Sequence, residues 1–363
     1  MKFFSKILFA FLLSSCANIV APTGGDKDEN APKITTIIEP ENMKHVNTRI
    51  VKFEFDEYIH TNKWEEYFYI SPPTEKRVQK KIKGQTLSLT IEDTLAENTT
   101  YYLALNYCIK DINEGNVLDT LNYIFSTSDD FDTLTISGKL KDAYSLKIIE
   151  NAWVMLFNEA VHDSLIFKTR PNYIAKTDKA GFFHFPNLNE DNYTITALTD
   201  FDFIYNEEEK IAFFDTKITA NDSFISLFAF DPIVVIDSVI TDTTIIKVDS
   251  ITADTLINDT IKKEEIPTGR LEIISSTSSS CIIQLLQNDK LIQEAFFAKP
   301  PYIIENISPD KYHLKYIYDN NQDSSWTTGS WERKTQAEKA INYPSEITIR
   351  SNWDLELEWL IKE

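Results

Sequence analysis

Arg49-Ile50-Val51-Lys52-Phe53-Glu54-Phe55 alternates without a break, with Ile50, Lys52 and Glu54 on one face and Val51, Phe53 and Phe55 on the other. A period of two sustained over this length marks a strand with one buried face. Working outward, similar short runs lie at 34–38, 67–71, 77–82, 86–91, 100–107 and 122–127, with turn residues between them. About seven short strands in a row predict a β-sandwich over residues 33–128. One helical turn is expected at 61–66.

The 363 residues carry 56 acidic against 36 basic side chains, a net charge of −20. That excess repels phosphate backbones and excludes nucleic acid as a partner. Only 8 glycines are present, and neither G-x-G-x-x-G nor a P-loop occurs. Cysteines at 16, 108 and 281 make no C-x-x-C pair and no zinc framework. Cys108 and Cys281 sit among apolar neighbours, which predicts small buried hydrophobes rather than reactive thiols.

Residues 1–15 open with Lys2 and Lys6 and continue into seven consecutive apolar residues, 7–13. Such a run is too short for the ~20 residues that span a bilayer and reads as a secretory signal. It ends in Leu13-Ser14-Ser15-Cys16, which resembles the lipobox of bacterial lipoproteins. The resemblance implies cleavage before Cys16 and acylation of its thiol, palmitate included, which would tether the protein to a membrane. Residues 16–32, with Pro22, Gly24 and Gly25, read as a flexible stalk. Surface export of such lipoproteins is associated with acids directly after the cysteine. Here Ala17 to Ala21 follow and the first acid is Asp26, so an outer-membrane position facing the periplasm is expected, with the cell surface as the alternative.

The block 33–128 resembles the bacterial Ig-like domains of S-layer proteins and surface lipoproteins, of the Bacteroidetes type. The resemblance rests on Pro40-Glu41-Asn42, the strand 53–59, Leu95-Ala96-Glu97-Asn98-Thr99-Thr100-Tyr101, Asp111-Ile112-Asn113-Glu114-Gly115-Asn116 and Tyr123-Ile124-Phe125-Ser126-Thr127. Residues 132–230 resemble the carboxypeptidase-regulatory, prealbumin-like sandwiches. There Asp178-Lys179-Ala180-Gly181 reads as a hairpin turn before an apolar strand. The glycine usual before the tyrosine is Asn192, which tolerates the left-handed conformation expected at that turn.

Residues 269–363 repeat that second block. Residues 185–200 align without a gap on 304–319, so that Asn187, Asp191, Tyr193 and Asp200 meet Asn306, Asp310, Tyr312 and Asp319. Lys311 stands at the turn position of Asn192. Between the copies, residues 231–268 repeat Asp-Ser/Thr at 237, 242, 249, 254 and 259 and read as a low-complexity acidic linker. The expected architecture is therefore all-β: tandem β-sandwiches, an Ig-like one followed by two prealbumin-like ones.

Chemistry is sparse. No nucleophile elbow, H-E-x-x-H or S-x-x-K occurs, and the five histidines are scattered. His162-Asp163-Ser164 are only sequence neighbours, whereas a triad is made in space. Asp319, Asn321 and Asp323 have the 1, 3, 5 oxygen spacing that begins a calcium loop, but Ser324 replaces its glycine and Ser330 its glutamate. A structural calcium is the one cofactor considered, against an Asx-rich turn. Trp326, Trp331, Trp353 and Trp359 crowd the C-terminal region, and Trp326 and Trp331 are the candidate ligand-binding rings. The expected function is a non-catalytic structural or interaction module with an envelope protein or glycan as partner. The alternatives are a glycan-binding accessory using these tryptophans and a hydrolase with an acidic site.

Overall fold

The computed structural model describes residues 27–199, 203–206, 208–220, 224–232 and 267–361. The signal, Cys16, Asp200 and nearly all of the acidic linker lie outside the described residues. None of the helices formed by the described residues is long and apolar enough to cross a membrane.

The first unit contains β1 (Ile34–Glu39), β2 (Ile50–Phe55), β3 (Ile59–Thr61), α1 (Trp64–Tyr67), β4 (Tyr69–Ser71), β5 (Gln79–Lys83), β6 (Thr86–Thr90), β7 (Thr100–Ala104), β8 (Ile109–Asp111) and β9 (Asn122–Ser126). A sheet in the order β1-β2-β6-β5 packs on β4-β7-β9, and β3 pairs with β8. The alternation in β2 puts Val51, Phe53 and Phe55 in the core with Leu87, Leu89, Leu103 and Phe125. The helical turn falls later than expected, after Lys63 in a left-handed conformation (φ 40°). Asp111 closes the loop behind β8, its carboxylate accepting from the backbone N–H of Glu114, Gly115 and Asn116 at 2.6–2.8 Å.

The second unit contains β10 (Leu134–Asp142), β11 (Trp153–Asn158), β12 (Tyr173–Lys176), β13 (Phe182–Leu188), β14 (Asn192–Leu198), β15 (Ile211–Phe213), β16 (Ile218–Thr219) and β17 (Ile225–Ala229). The third contains β18 (Gly269–Ser275), β19 (Cys281–Gln287), β20 (Lys290–Phe297), β21 (Tyr302–Ile307), β22 (Lys311–Tyr318), β23 (Ala340–Asn342), β24 (Ile347–Thr348) and β25 (Asp354–Trp359). Their sheets correspond strand for strand. β13-β10-β17 faces β12-β11-β14-β15, as β21-β18-β25 faces β20-β19-β22-β23, with β16 on β14 and β24 on β22. In each unit the first and last strands pair in parallel. The fold is thus all-β, in tandem β-sandwiches.

The repeat extends to backbone detail. Asn187 and Asn306 both adopt φ 58°, where β10–β13 and β18–β21 shift register. Tyr193 donates to the carbonyl of Asn189, and Tyr312 to that of Ser308, both at 2.9 Å. This corrects the expectation for the preceding turn. Asn192 and Lys311 open β14 and β22 without a positive φ. Their N–H groups are instead held by the carboxylates of Asp191 and Asp310, at 2.7 and 2.8 Å. The left-handed residue is the asparagine five positions earlier, where its short polar side chain lowers the steric cost.

Candidate functional site: two joints and an acidic turn

The side chains that carry most of the unusual chemistry lie where the sandwiches meet. At the first joint, Ser71 on β4 accepts from the backbone N–H of Ile174 on β12 at 3.1 Å. The Arg170 guanidinium donates to the carbonyls of Thr74 and Glu75. The Lys176 ammonium donates to the carbonyl of Glu66 and stands 4.9 Å above the Trp153 ring. Burial pushes the Lys176 amine below its ordinary range, with the Glu66 carboxylate opposing. Tyr69 meets Trp153 edge-on, 5.7 Å between ring centroids.

The second joint is broader. The outer face of β19 and β22, through Ile282 and Ile317, packs on Tyr144 and Leu146 of the second unit. Tyr144 exchanges hydrogen bonds with the amide of the buried Gln284 at 3.0–3.1 Å, and its carbonyl accepts from Lys315 at 2.7 Å. Lys315 is 4 % exposed, and burial lowers its pKa. Its ammonium lies 4.1 Å from the Tyr144 ring centroid, so the charge removed from water is met by a carbonyl and an aromatic face. Gln336 donates to the carbonyl of Phe213 and the carboxylate of Asp215, at 2.9 and 2.8 Å.

Trp326 and Trp331 belong to this joint. The Trp326 ring lies 5.0 Å from Tyr144, and its Nε1 donates to the carbonyl of Glu338 at 2.9 Å. Trp331 meets Phe167 and Phe213 edge-on at 5.1 and 5.2 Å. Lys334 stands over Trp331, and burial pushes its amine down to about 8. Trp359 is buried in the third core, whereas Trp353 is 57 % exposed. The four C-terminal tryptophans therefore form no single platform.

The acidic turn is closed on itself. Asp319 is buried, and its two carboxylate oxygens accept from the N–H groups of Asp323 and Ser324 at 3.1 and 3.2 Å. Asp323 accepts from Ser325, and Asn321 donates to Asp323 and Thr327. Glu338 reaches in from outside the turn to accept from Asn320 and Thr327, at 2.7 and 3.0 Å. Backbone and side-chain donors thus engage the carboxylate oxygens of Asp319 and Asp323 as in an Asx-rich turn. Among the described residues no group of three or more His, Cys, Asp and Glu side chains could hold a metal.

The remaining candidates are local. His162 lies 2.9 Å from the Ser164 hydroxyl and accepts from the Ser164 N–H, capping a short turn on the surface. Cys108 and Cys281 are free and fully buried, and burial pushes their thiols up to about 12 and about 11.

Known structures similar to the chain include the TIE protein of Bacillus anthracis (10 % identity, 94 % of this chain and 59 % of that one, TM-score 0.19). Others are a minor pilin of Streptococcus agalactiae (12 %, 63 % and 95 %, 0.18) and the N-terminal part of the bacterial S-layer protein SbsC (15 %, 56 % and 44 %, 0.19). The chain spans roughly half the length of the TIE and S-layer structures. No curated protein matches it. Residues 28–127 match the family model of the bacterial Ig-like domain.

Proposed function

We propose that the protein is a non-catalytic envelope lipoprotein, tethered through Cys16, whose sandwiches form a stiff structural or interaction module. The supporting observation is the aromatic cluster at the second joint, where Trp326 and Trp331 pack with Phe167, Phe213 and Phe230. An interface with apolar side chains and desolvated lysines resists bending far more than a solvated hinge does. The glycan platform on Trp326 and Trp331 has less support, since both rings are covered by side chains of the second unit.

Small-angle X-ray scattering tests the stiffness. The wild-type protein should keep one maximum dimension, and Trp331→Ala with Gln336→Ala should broaden its distance distribution. Identical profiles would sink the proposal. The tether is tested separately: Cys16→Ser should leave the membrane fraction. An outer-membrane position facing the periplasm requires that the protein resist protease on intact cells and be cut once the outer membrane is opened.

A further inference from the structure

Two equivalent sheet faces of the repeat carry opposite character. In β13-β10-β17, Ile136, Leu140, Phe183, Phe185 and Leu227 are in the core. Alternation therefore turns Phe182, Lys139, Lys141 and Phe228 outward, with Phe224 just ahead of β17. Phe224 and Phe228 are 55 % and 40 % exposed. The Phe182 ring stacks on that of Phe224, 6.4 Å between centroids. In register, Lys139 lies beside Phe182 and Lys141 beside Phe228, so cations alternate with exposed rings.

The corresponding face of β21-β18-β25 is acidic. Leu271, Ile273 and Trp359 are in the core, which turns Glu272, Ile274, Asp354, Glu356 and Glu358 outward. The parallel register sets Glu272 beside Glu356, and like charges so placed repel. Arg270 is already shared, 2.8 Å from Glu272 and 3.4 Å from Asp354. Among the described residues neither Glu356 nor Glu358 has a cation within ion-pair distance. Ile274, next to Glu358 in the register, is 50 % exposed. Both joints are made through the opposite sheets, by β12 at the first and by β19 and β22 at the second.

We propose that the acidic face of the third sandwich docks on the aromatic, basic face of the second sandwich of another copy of this chain. Glu356 and Glu358 then meet Lys139 and Lys141, while Ile274 and the phenylalanine rings exclude water around them. The two faces are different surfaces, so the contact is head-to-tail and can be repeated from molecule to molecule. Three strands ~4.8 Å apart and about six residues long offer roughly 300 Å² a side, small for a stable complex, so the association is weak and reversible. A lipid surface also accepts phenylalanine and lysine side chains. Anionic headgroups, however, repel a chain of net charge −20, and a lipid leaves the matching acidic face without a partner. The inference rests on the reading of the chain as an interaction module and names its partner.

Sedimentation velocity of the full chain carrying Cys16→Ser, which removes the acylation site, tests it. The sedimentation coefficient should rise with protein concentration. Lys139→Glu with Lys141→Glu should weaken association at least tenfold, and so should Glu356→Lys with Glu358→Lys, although the latter lowers the net charge. An equimolar mixture of the two double variants should associate again, because each keeps the face that the other has lost. A mixture that stays monomeric overturns the proposal, as does association that neither reversal weakens while melting curves are preserved. Binding to phosphatidylglycerol vesicles without self-association overturns it in favour of a lipid surface. A chain that is monomeric at every concentration yet keeps one maximum dimension in scattering overturns this inference and spares the stiff module.

Discussion

Gly329 is pressed against the ring of Phe230, and a Cβ at position 329 would stand 2.5 Å from Phe230 Cε1. The contact crosses the second joint, between the tail of the second sandwich and the loop that carries Trp326 and Trp331. Real Cβ atoms do not approach a ring so closely, so Gly329→Ala must push the two units apart. We expect a loss of about 1–3 kcal/mol from the overpacked joint. The scattering profile should broaden while the first sandwich melts as before. A Gly329→Ala protein with wild-type dimensions would contradict this packing.

Asn187 and Asn306 share φ 58° but not their side-chain bonds. Asn187 Nδ2 donates to the Asp132 carbonyl at 2.7 Å. Asn306→Gly should therefore be close to neutral, because glycine takes that conformation freely. Asn187→Gly should cost about 1 kcal/mol through the lost hydrogen bond. Asn306→Val should cost about 1–3 kcal/mol, since a β-branched residue is strained there. Chemical denaturation that ranks glycine below valine at position 306 would refute the assignment.

The two buried thiols should be inert in the native state. With Cys108 pushed up to about 12 and Cys281 to about 11, the nucleophilic thiolate is scarce at pH 8. Iodoacetamide should label neither until denaturant is added, after which both should react within minutes. Mass spectrometry showing fast labelling of the folded protein would mean that one of these cores opens readily.

Lys334, an exposed residue whose ammonium lies over the Trp331 ring, should make the second joint respond to alkaline pH. Burial lowers its amine to about 8 in the folded protein, against the usual 10.5 when unfolded. Between those values the unfolded chain holds a proton that the folded chain has released, so stability contributed by this group rises with pH. Below about 8 both states are protonated and the contribution is flat. The wild type should therefore gain melting temperature relative to Lys334→Met as pH is raised from 8 to 10. A constant difference over that window would show that the amine is not desolvated.

The alternation in Val51, Phe53 and Phe55 made the first sandwich legible, because one face of β2 is core and the other faces solvent. The repeat 185–200 on 304–319 was equally plain, since the same register shift and tyrosine bond recur in both copies. The joints were not readable in this way. Gln284 and Lys315 look like solvated strand positions, and only the folded chain puts Tyr144 over them. A trace was present: β11 runs Trp153-Val154-Met155-Leu156-Phe157 and β19 begins Cys281-Ile282-Ile283, apolar without alternation. Such runs mean two buried faces, one on the core and one on a neighbour. The fate of Asn192 was misread because the aspartate before it supplies the backbone contact that a glycine turn would otherwise provide.

The parallel pairing of first and last strands has a consequence for pulling. In the third sandwich β18 and β25 run side by side through six register pairs, from Arg270 and Asp354 to Ser275 and Trp359. In the second, β10 and β17 share five. Because the paired strands point the same way, the chain enters such a unit at one end and leaves at the other. Tension drawn along it acts parallel to the strands, and their mutual hydrogen bonds shear together instead of unzipping singly. Single-molecule stretching should find rupture forces for these two units that exceed those of the same strands peeled from one end. A protein tethered at its first cysteine and gripped near its last strand would then resist being pulled out as a set of clamps in series.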